Sequence, residues 1–156
     1  FSSEDLKKEP IDIAEMLKYC VSLLESKAEA KEQQLSLETV PTVLPASREK
    51  LWRVVSNLVA NAIKFSPNGS KIKLKMAQMT RGIRISVKDE GIGIPAELGE
   101  KIFDLFTEAK RLGTAGEHTF GMGLAISKQI VEAHNGKIWY ENNKTSGTTF
   151  FVDLPF

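Results

Sequence analysis

The chain has 156 residues, 42% hydrophobic and 26% charged, the make-up of a single soluble globular domain with a full core. Lys+Arg 21 against Asp+Glu 20 leaves a formal charge of +1, so no global field directs the chain to nucleic acid or to an anionic membrane surface. Any ligand must be held by local chemistry. No apolar run reaches the length of a membrane span, and no signal peptide opens the sequence. The one cysteine, Cys20, lies in an apolar helical pattern and reads as a buried thiol in a reducing, cytoplasmic compartment. The start at Phe1, without an initiator methionine, suggests a piece of a longer protein whose membrane segments, if any, lie elsewhere.

Residues 1–10 are polar and aperiodic and read as a linker, or the tail of a preceding element. Residues 11–156 read as one domain. Ile11-Asp12-Ile13 suits a short strand. Asp12 can cap a helix whose apolar side is Ile13, Met16, Leu17, Cys20, Leu23, Leu24 and Ala28. Its polar side, with Glu25, Lys27, Glu29, Lys31 and Glu32, reads as a solvated face. Leu35 to Val40 alternates as a strand, and Pro41 and Pro45 bracket a second extended piece. Ser47 is a natural N-cap for a helix from Arg48 to Phe65, which Pro67-Asn68-Gly69 ends. Lys71 to Met79 and Ile83 to Val87 alternate about a tight turn at Arg81-Gly82, the pattern of a hairpin with one buried face. Pro95 suits the first turn of a short helix over Ala96 to Phe106. Residues 107–120 are polar and glycine-bearing and read as a long functional loop. Gly121-Met122-Gly123 opens a helix that Asn135-Gly136 stops, and two strands, Lys137 to Glu141 and Thr148 to Leu154, finish the chain. The sum is an α/β (α+β) two-layer sandwich. A mixed, mostly antiparallel sheet of about five strands is covered on one face by three helices.

Three stretches carry chemistry. On the Arg48–Phe65 helix, Asn57, Asn61 and Lys64 stand at i, i+4 and i+7 and share a face, with Leu51, Val54, Val55, Leu58 and Ala62 largely opposite. Asparagine is a mediocre helix former, so two of them four apart are a costly polar stripe. Amide oxygens ligate Mg²⁺ and a lysine neutralises phosphate. Next, Asp89 stands at the mouth of a buried strand before Gly91 and Gly93, where backbone can approach a flat ligand closely. Finally, Gly121 to Gly123 opens a helix whose free N–H groups suit an anion, behind a loop carrying Lys110 and Arg111. Each signal alone is modest; their order makes them specific together.

In that order, Asn57-x-x-x-Asn61-Ala62-x-Lys64-Phe65-Ser66, Asp89-x-Gly91-Ile92-Gly93-Ile94-Pro95, Phe103-x-x-Phe106, Gly121-Met122-Gly123-Leu124-Ala125-Ile126 and Gly147-Thr148-Thr149-Phe150 resemble the N box, first glycine box, F box, second glycine box and third glycine box of the catalytic ATP-binding domain of bacterial sensor histidine kinases. The resemblance runs from about Ile11 to the C-terminus. It implies the Bergerat-type sandwich shared with gyrase, mismatch-repair and chaperone ATPases, closed by a mobile ATP lid over residues 107–120. It implies Asn61 as the Mg²⁺ ligand, Asn57 as support for the metal site, Lys64 as a phosphate contact and Phe65 as a neighbour of the nucleotide. Asp89 would read the adenine amino group, and Thr148 would reach adenine through water. Gly91, Gly93 and Ile94 would line the base. Gly121, Met122, Gly123 and Leu124 would form the lid hinge and phosphate turn, and Lys110 or Arg111 would meet the terminal phosphate. The chain departs from the family at Thr119, where a glycine or serine is common, at Ser47, where an aspartate is usual, and at Asn135, where a second glycine is common.

Related ATPases carry a glutamate at the position of Asn57. An amide cannot act as a general base, so the resemblance implies Mg-ATP binding with little hydrolysis. The acceptor would be a histidine in a separate helical dimerisation domain. Neither His118 nor His134, the two histidines present, is followed by the acidic residue that the family's phosphoacceptor carries. The implied partners are that phosphoacceptor domain and a response regulator. Nucleic acid and direct membrane contact by this segment are not expected, and the whole protein would be a homodimer. The competing readings are a gyrase-like or chaperone-like ATPase, a serine kinase of the anti-sigma kind and a binding-only module. Asn57 and the short lid weigh against the first. The two-phenylalanine box and the long first helix weigh against the second, and the intact asparagines, lysine and aspartate weigh against the third.

Overall fold

Two short polar side chains start the two longest helices. The computed structural model describes residues 6–104 and 123–156. Asp12 caps α1 (Ile13–Ala30) by accepting the Glu15 N–H at 3.1 Å, and Ser47 caps α2 (Arg48–Phe65) by accepting the Lys50 N–H at 3.4 Å. Just before each cap lies a short strand, β1 (Glu9–Asp12) and β3 (Val43–Ala46), and the two pair antiparallel with Pro10 facing Pro45. Proline cannot donate to a ladder, which suits a detached two-stranded ribbon. β1 starts at Glu9, two residues ahead of the expected Ile11, because Glu9 and Pro10 already pair with Ala46 and Pro45.

The main sheet has five strands in the order β2 (Gln34–Glu38), β4 (Lys71–Met79), β5 (Gly82–Lys88), β7 (Thr148–Pro155), β6 (Lys137–Asn142). Every pairing is antiparallel except β2 with β4. The register sets most apolar side chains to one side. Ile72, Leu74, Ile85, Val87 and Val152 pack there with Leu51, Val54 and Leu58 of α2 and with Leu124 and Ile130 of α3 (Gly123–Ala133) in one core. The other face carries Lys73 opposite Lys88, Arg84 bonded to Asp153 through two bonds of 2.7 and 2.9 Å, and the stacked pair Trp139 and Phe151 beside the Arg84 guanidinium. The expected sandwich is therefore present, with three helices on one face. Cys20 is fully buried, and burial pushes its thiol up to about 11, so it stays protonated and inert.

Two expectations need correcting. The short helix over Ala96 to Phe106 is only a 3-10 helix, Gly99–Phe103, within the described residues. Gly99, at φ +46°, breaks the regular backbone that an α-helix needs. Lys31 is not on a solvated face either. Its Nζ donates to the carbonyls of Ile63 at 2.9 Å and Lys64 at 3.2 Å, and Gln33 Nε2 donates to those of Ile63 and Ser66 at 3.1 and 3.0 Å. These bonds satisfy the end of α2, whose last carbonyls lack partners within the helix, and so fix the turn that carries Lys64.

The start of α2 is fixed from α3. His134 is buried, and its Nε2 accepts the Ser47 N–H at 3.0 Å. A backbone N–H only donates, so Nε2 is unprotonated and Nδ1 donates to the Ile130 carbonyl at 2.8 Å. Asn135, at φ 61°, then ends α3 in the left-handed conformation that asparagine tolerates. Burial pushes the His134 pKa below the ordinary 6.5, with help from Lys8 and against the bond to Ile130. The unfolded chain thus takes up this proton at a higher pH than the folded one. The stability from neutral His134 is complete above about pH 6.5 and is lost as pH falls through the lowered folded value. Melting temperature should accordingly fall more steeply on acidification in the wild type than in His134→Gln. Parallel slopes for the two proteins would remove His134 from the acid response.

Candidate functional site

The shared face of α2 is not a solvated one. Asn61 is 6% exposed, and Asn57 and Lys64 are half-buried. The Nδ2 atoms of Asn57 and Asn61 are both buried, and neither has a hydrogen-bond partner among the described residues. An unmet buried donor costs roughly 1–3 kcal/mol, so two of them one turn apart need an explanation. A group rich in acceptor oxygens would supply it.

The N-terminal end of α3 lies against this face. A Cβ on Gly123 would fall 2.6 Å from Asn57 Oδ1 and 2.9 Å from its Nδ2. Only glycine lets the helix start come so close to the amide, so the second glycine turn and the asparagine helix form one wall. Leu124, directly after, is fully buried and belongs to the core beneath.

The Asp89 turn meets the other end of α2. A Cβ on Gly91 would fall 2.3 Å from the Phe65 carbonyl oxygen, so the missing side chain is already used to seat the turn on the helix end. The Phe65 ring and Ile94 are buried in the core, with 1% and 2% exposure. Asp89 is 3% exposed. Its Oδ1 accepts the N–H groups of Gly91 at 2.9 Å and Thr148 at 3.0 Å, which fixes the direction of the carboxylate. Gly93 takes φ +75° beyond it.

The structure therefore joins Asn57 to Gly123, and Phe65 to Gly91, Asp89 and Thr148. Lys110, Arg111, Gly121 and Met122 lie outside the described residues, as do Phe106, His118, Thr119 and the expected lid. Sequence reasoning missed Asn142 and Asn143, which read only as the start of a turn. Asn142 bonds Ile94 through both ends of its amide, at 3.0 Å to the N–H and 2.8 Å to the carbonyl. Asn143 Nδ2 donates to the Asp89 carbonyl at 2.8 Å, and its Oδ1 accepts the Thr149 hydroxyl at 2.7 Å. Two adjacent asparagines at a hairpin end were the available signal, since their amides readily bond nearby backbone.

Comparison with known proteins agrees with this fold. Residues 46–156 match the family of histidine kinase-, DNA gyrase B-, and HSP90-like ATPases. The sensor protein kinase WalK of Staphylococcus saprophyticus is 34% identical over 157 residues, which cover 98% of this chain and 25% of that protein. The chain thus spans about a quarter of the length of such curated relatives. The nucleotide-free catalytic domain of histidine kinase ThkA superposes with a TM-score of 0.84 at 31% identity, covering 96% of this chain and 97% of that one. ThkA has also been solved in complex with the response regulator protein TrrA; that structure gives a TM-score of 0.79 at 31% identity, over 95% of this chain and 41% of that one. Full-length ShkA, solved in complex with AMPPNP, gives a TM-score of 0.81 at 26% identity, covering 97% of this chain and 32% of that one. The chain belongs to the histidine kinase-, DNA gyrase B-, and HSP90-like ATPase family, and its fold is that of a sensor histidine kinase catalytic domain.

Proposed function

We propose that this domain binds Mg-ATP between α2, the Asp89 turn and the start of α3, and gives its terminal phosphate to a histidine on a separate dimerisation domain. The observation that carries the proposal is the pair of buried amide nitrogens of Asn57 and Asn61, without a hydrogen-bond partner among the described residues, near the start of α3. A triphosphate offers the acceptor oxygens they lack. Among the described residues, no group of three or more His, Cys, Asp or Glu side chains converges as a metal cage. A cation held here would take one amide oxygen from Asn61 and most of its shell from phosphate and water, which suits Mg²⁺. Mg²⁺ there would neutralise phosphate charge and align the phosphates.

The chain's own residues do the rest. Asn61 orients the triphosphate from α2, and Lys64, one turn on, offsets its charge. The Asp89 carboxylate accepts from the adenine amino group, and the Thr148 hydroxyl meets the base through water. Lys110 or Arg111 contacts the terminal phosphate. The acceptor imidazole attacks the γ-phosphorus, the bond to the bridging oxygen breaks, and ADP leaves. Asn57 supplies no base, so water in the same place is not activated and the phosphate is kept for histidine. The resemblance to a kinase solved with a response regulator supports a further transfer to such a partner. The whole protein then acts as a homodimeric two-component sensor with this domain in the cytoplasm. Among the described residues, no helix is long and apolar enough to cross a membrane.

The test is to mix the chain, γ-labelled ATP and the histidine-bearing helical domain of the same protein. The helical domain should gain label only when this chain is present, and the chain alone should gain none. Stable labelling of the isolated chain, or steady ATP turnover without an acceptor, would contradict the proposal.

A further inference from the structure

We infer that Lys31, in the turn between α1 and β2, is a positioning residue for the phosphate side of the site and acts through the backbone of Lys64. The inference rests on the reading of this cleft as an Mg-ATP site with Lys64 beside the phosphates. α2 ends at Phe65, so Lys64 is its last residue but one. The last carbonyls of a helix have no partner within it, and its final turn frays first. Asn57 and Asn61 lie deeper in α2 and are held by the helix itself. Lys64 is not, and fraying would swing it off the face it shares with the asparagines.

Two side chains from outside α2 bond its last carbonyls, and they divide them. Gln33 Nε2 donates to Ile63 at 3.1 Å, Ser66 at 3.0 Å and Pro67 at 3.4 Å, and none of its bonds goes to Lys64. Lys31 Nζ donates to Ile63 at 2.9 Å and to the Lys64 carbonyl at 3.2 Å. The Ile63 carbonyl is thus served twice, and what the ammonium adds is the bond to Lys64. Its positive charge also suits the negative end of the helix dipole. Lys31 is itself fixed on both sides. Its N–H donates to the Ala28 carbonyl at 3.0 Å, and its own carbonyl accepts the Gly69 N–H at 2.9 Å. The end of α1 and the turn after α2 therefore place the ammonium. Gln33 bonds on either side of Phe65, whose carbonyl lies against Gly91, so the seat of the Asp89 turn does not depend on Lys31.

The experiment titrates the whole chain with ATP in Mg²⁺, and with adenosine, for the wild type, Lys31→Met, Lys64→Met and the double variant. Thermal unfolding of each protein sets a temperature at which all are folded. Lys31→Met keeps most of the apolar stem and loses the donor. It should weaken ATP by about 3- to 10-fold, the worth of one hydrogen bond, and leave adenosine as in the wild type. In the Lys64→Met background the same change should cost ATP little more, because Lys31 acts through Lys64. Should Lys31→Met fail to fold, Lys31→Gln, which keeps one donor, carries the same cycle with a smaller loss. A merely structural role, or a direct pull of the ammonium on phosphate, gives losses that add in the double variant, and additive losses overturn the inference. So does an equal loss for ATP and adenosine. A wild type that binds no ATP fails the reading of the site itself; a wild type that binds ATP, with losses that add, fails this inference alone.

Discussion

Asn61→Ala is expected to lower Mg²⁺-dependent ATP affinity by about 100-fold or more while leaving the fold as stable as before, or more so. Outer-sphere partners of a metal already contribute about 10- to 100-fold, and Asn61 is assigned a direct role. The stability side has the opposite sign. Alanine is a better helix former than asparagine by several tenths of a kcal/mol, and the change removes a buried amide nitrogen that has no partner among the described residues. A residue kept for packing would lose stability on truncation; one kept for a ligand loses binding and gains stability. Calorimetric titration with ATP, alongside thermal unfolding of the free protein, separates the two. Unchanged affinity would remove Asn61 from the metal site.

Asp89→Asn should cost about 10- to 100-fold in ATP affinity, the range for a hydrogen bond to a charged group. The fold should survive, because the asparagine oxygen can still accept the Gly91 and Thr148 N–H groups that now go to Oδ1. Those two donors fix which way the new amide turns. Its nitrogen must replace the second carboxylate oxygen, so a donor now faces wherever that acceptor faced. Titration with ATP measures the loss, and a melting temperature within a few degrees of the wild type shows that the fold is intact. A variant that binds ATP as the wild type does would take Asp89 out of base recognition.

The structural features legible in the sequence are those with local causes. Asp12 and Ser47 announced their helices because capping needs only a side-chain oxygen three residues ahead of a backbone N–H. The β4–β5 and β6–β7 hairpins followed from alternation on either side of turn residues. The pairing of β2 with β4 in parallel was not legible, because α2 lies between them in sequence and no local pattern encodes such a crossover. Nor was the junction of β5 with β7, which sets Thr148 beside Asp89. Long-range polar contacts were hidden for the same reason. Lys31 looked like surface charge because its partners lie at the far end of another helix. Asn142 looked like turn chemistry because Ile94 is distant in sequence. At the candidate site, residue types and their order single out the asparagines, Asp89 and the glycines. Burial explains what two of those glycines do: Gly91 admits the Phe65 carbonyl and Gly123 admits the Asn57 amide.

The most direct measurement is a calorimetric titration of the isolated chain with ATP, run with Mg²⁺ and again with a chelator. A saturable one-to-one binding heat is expected, weakening sharply when the metal is removed, with no ATP turnover during the run. A flat titration in Mg²⁺ would contradict it.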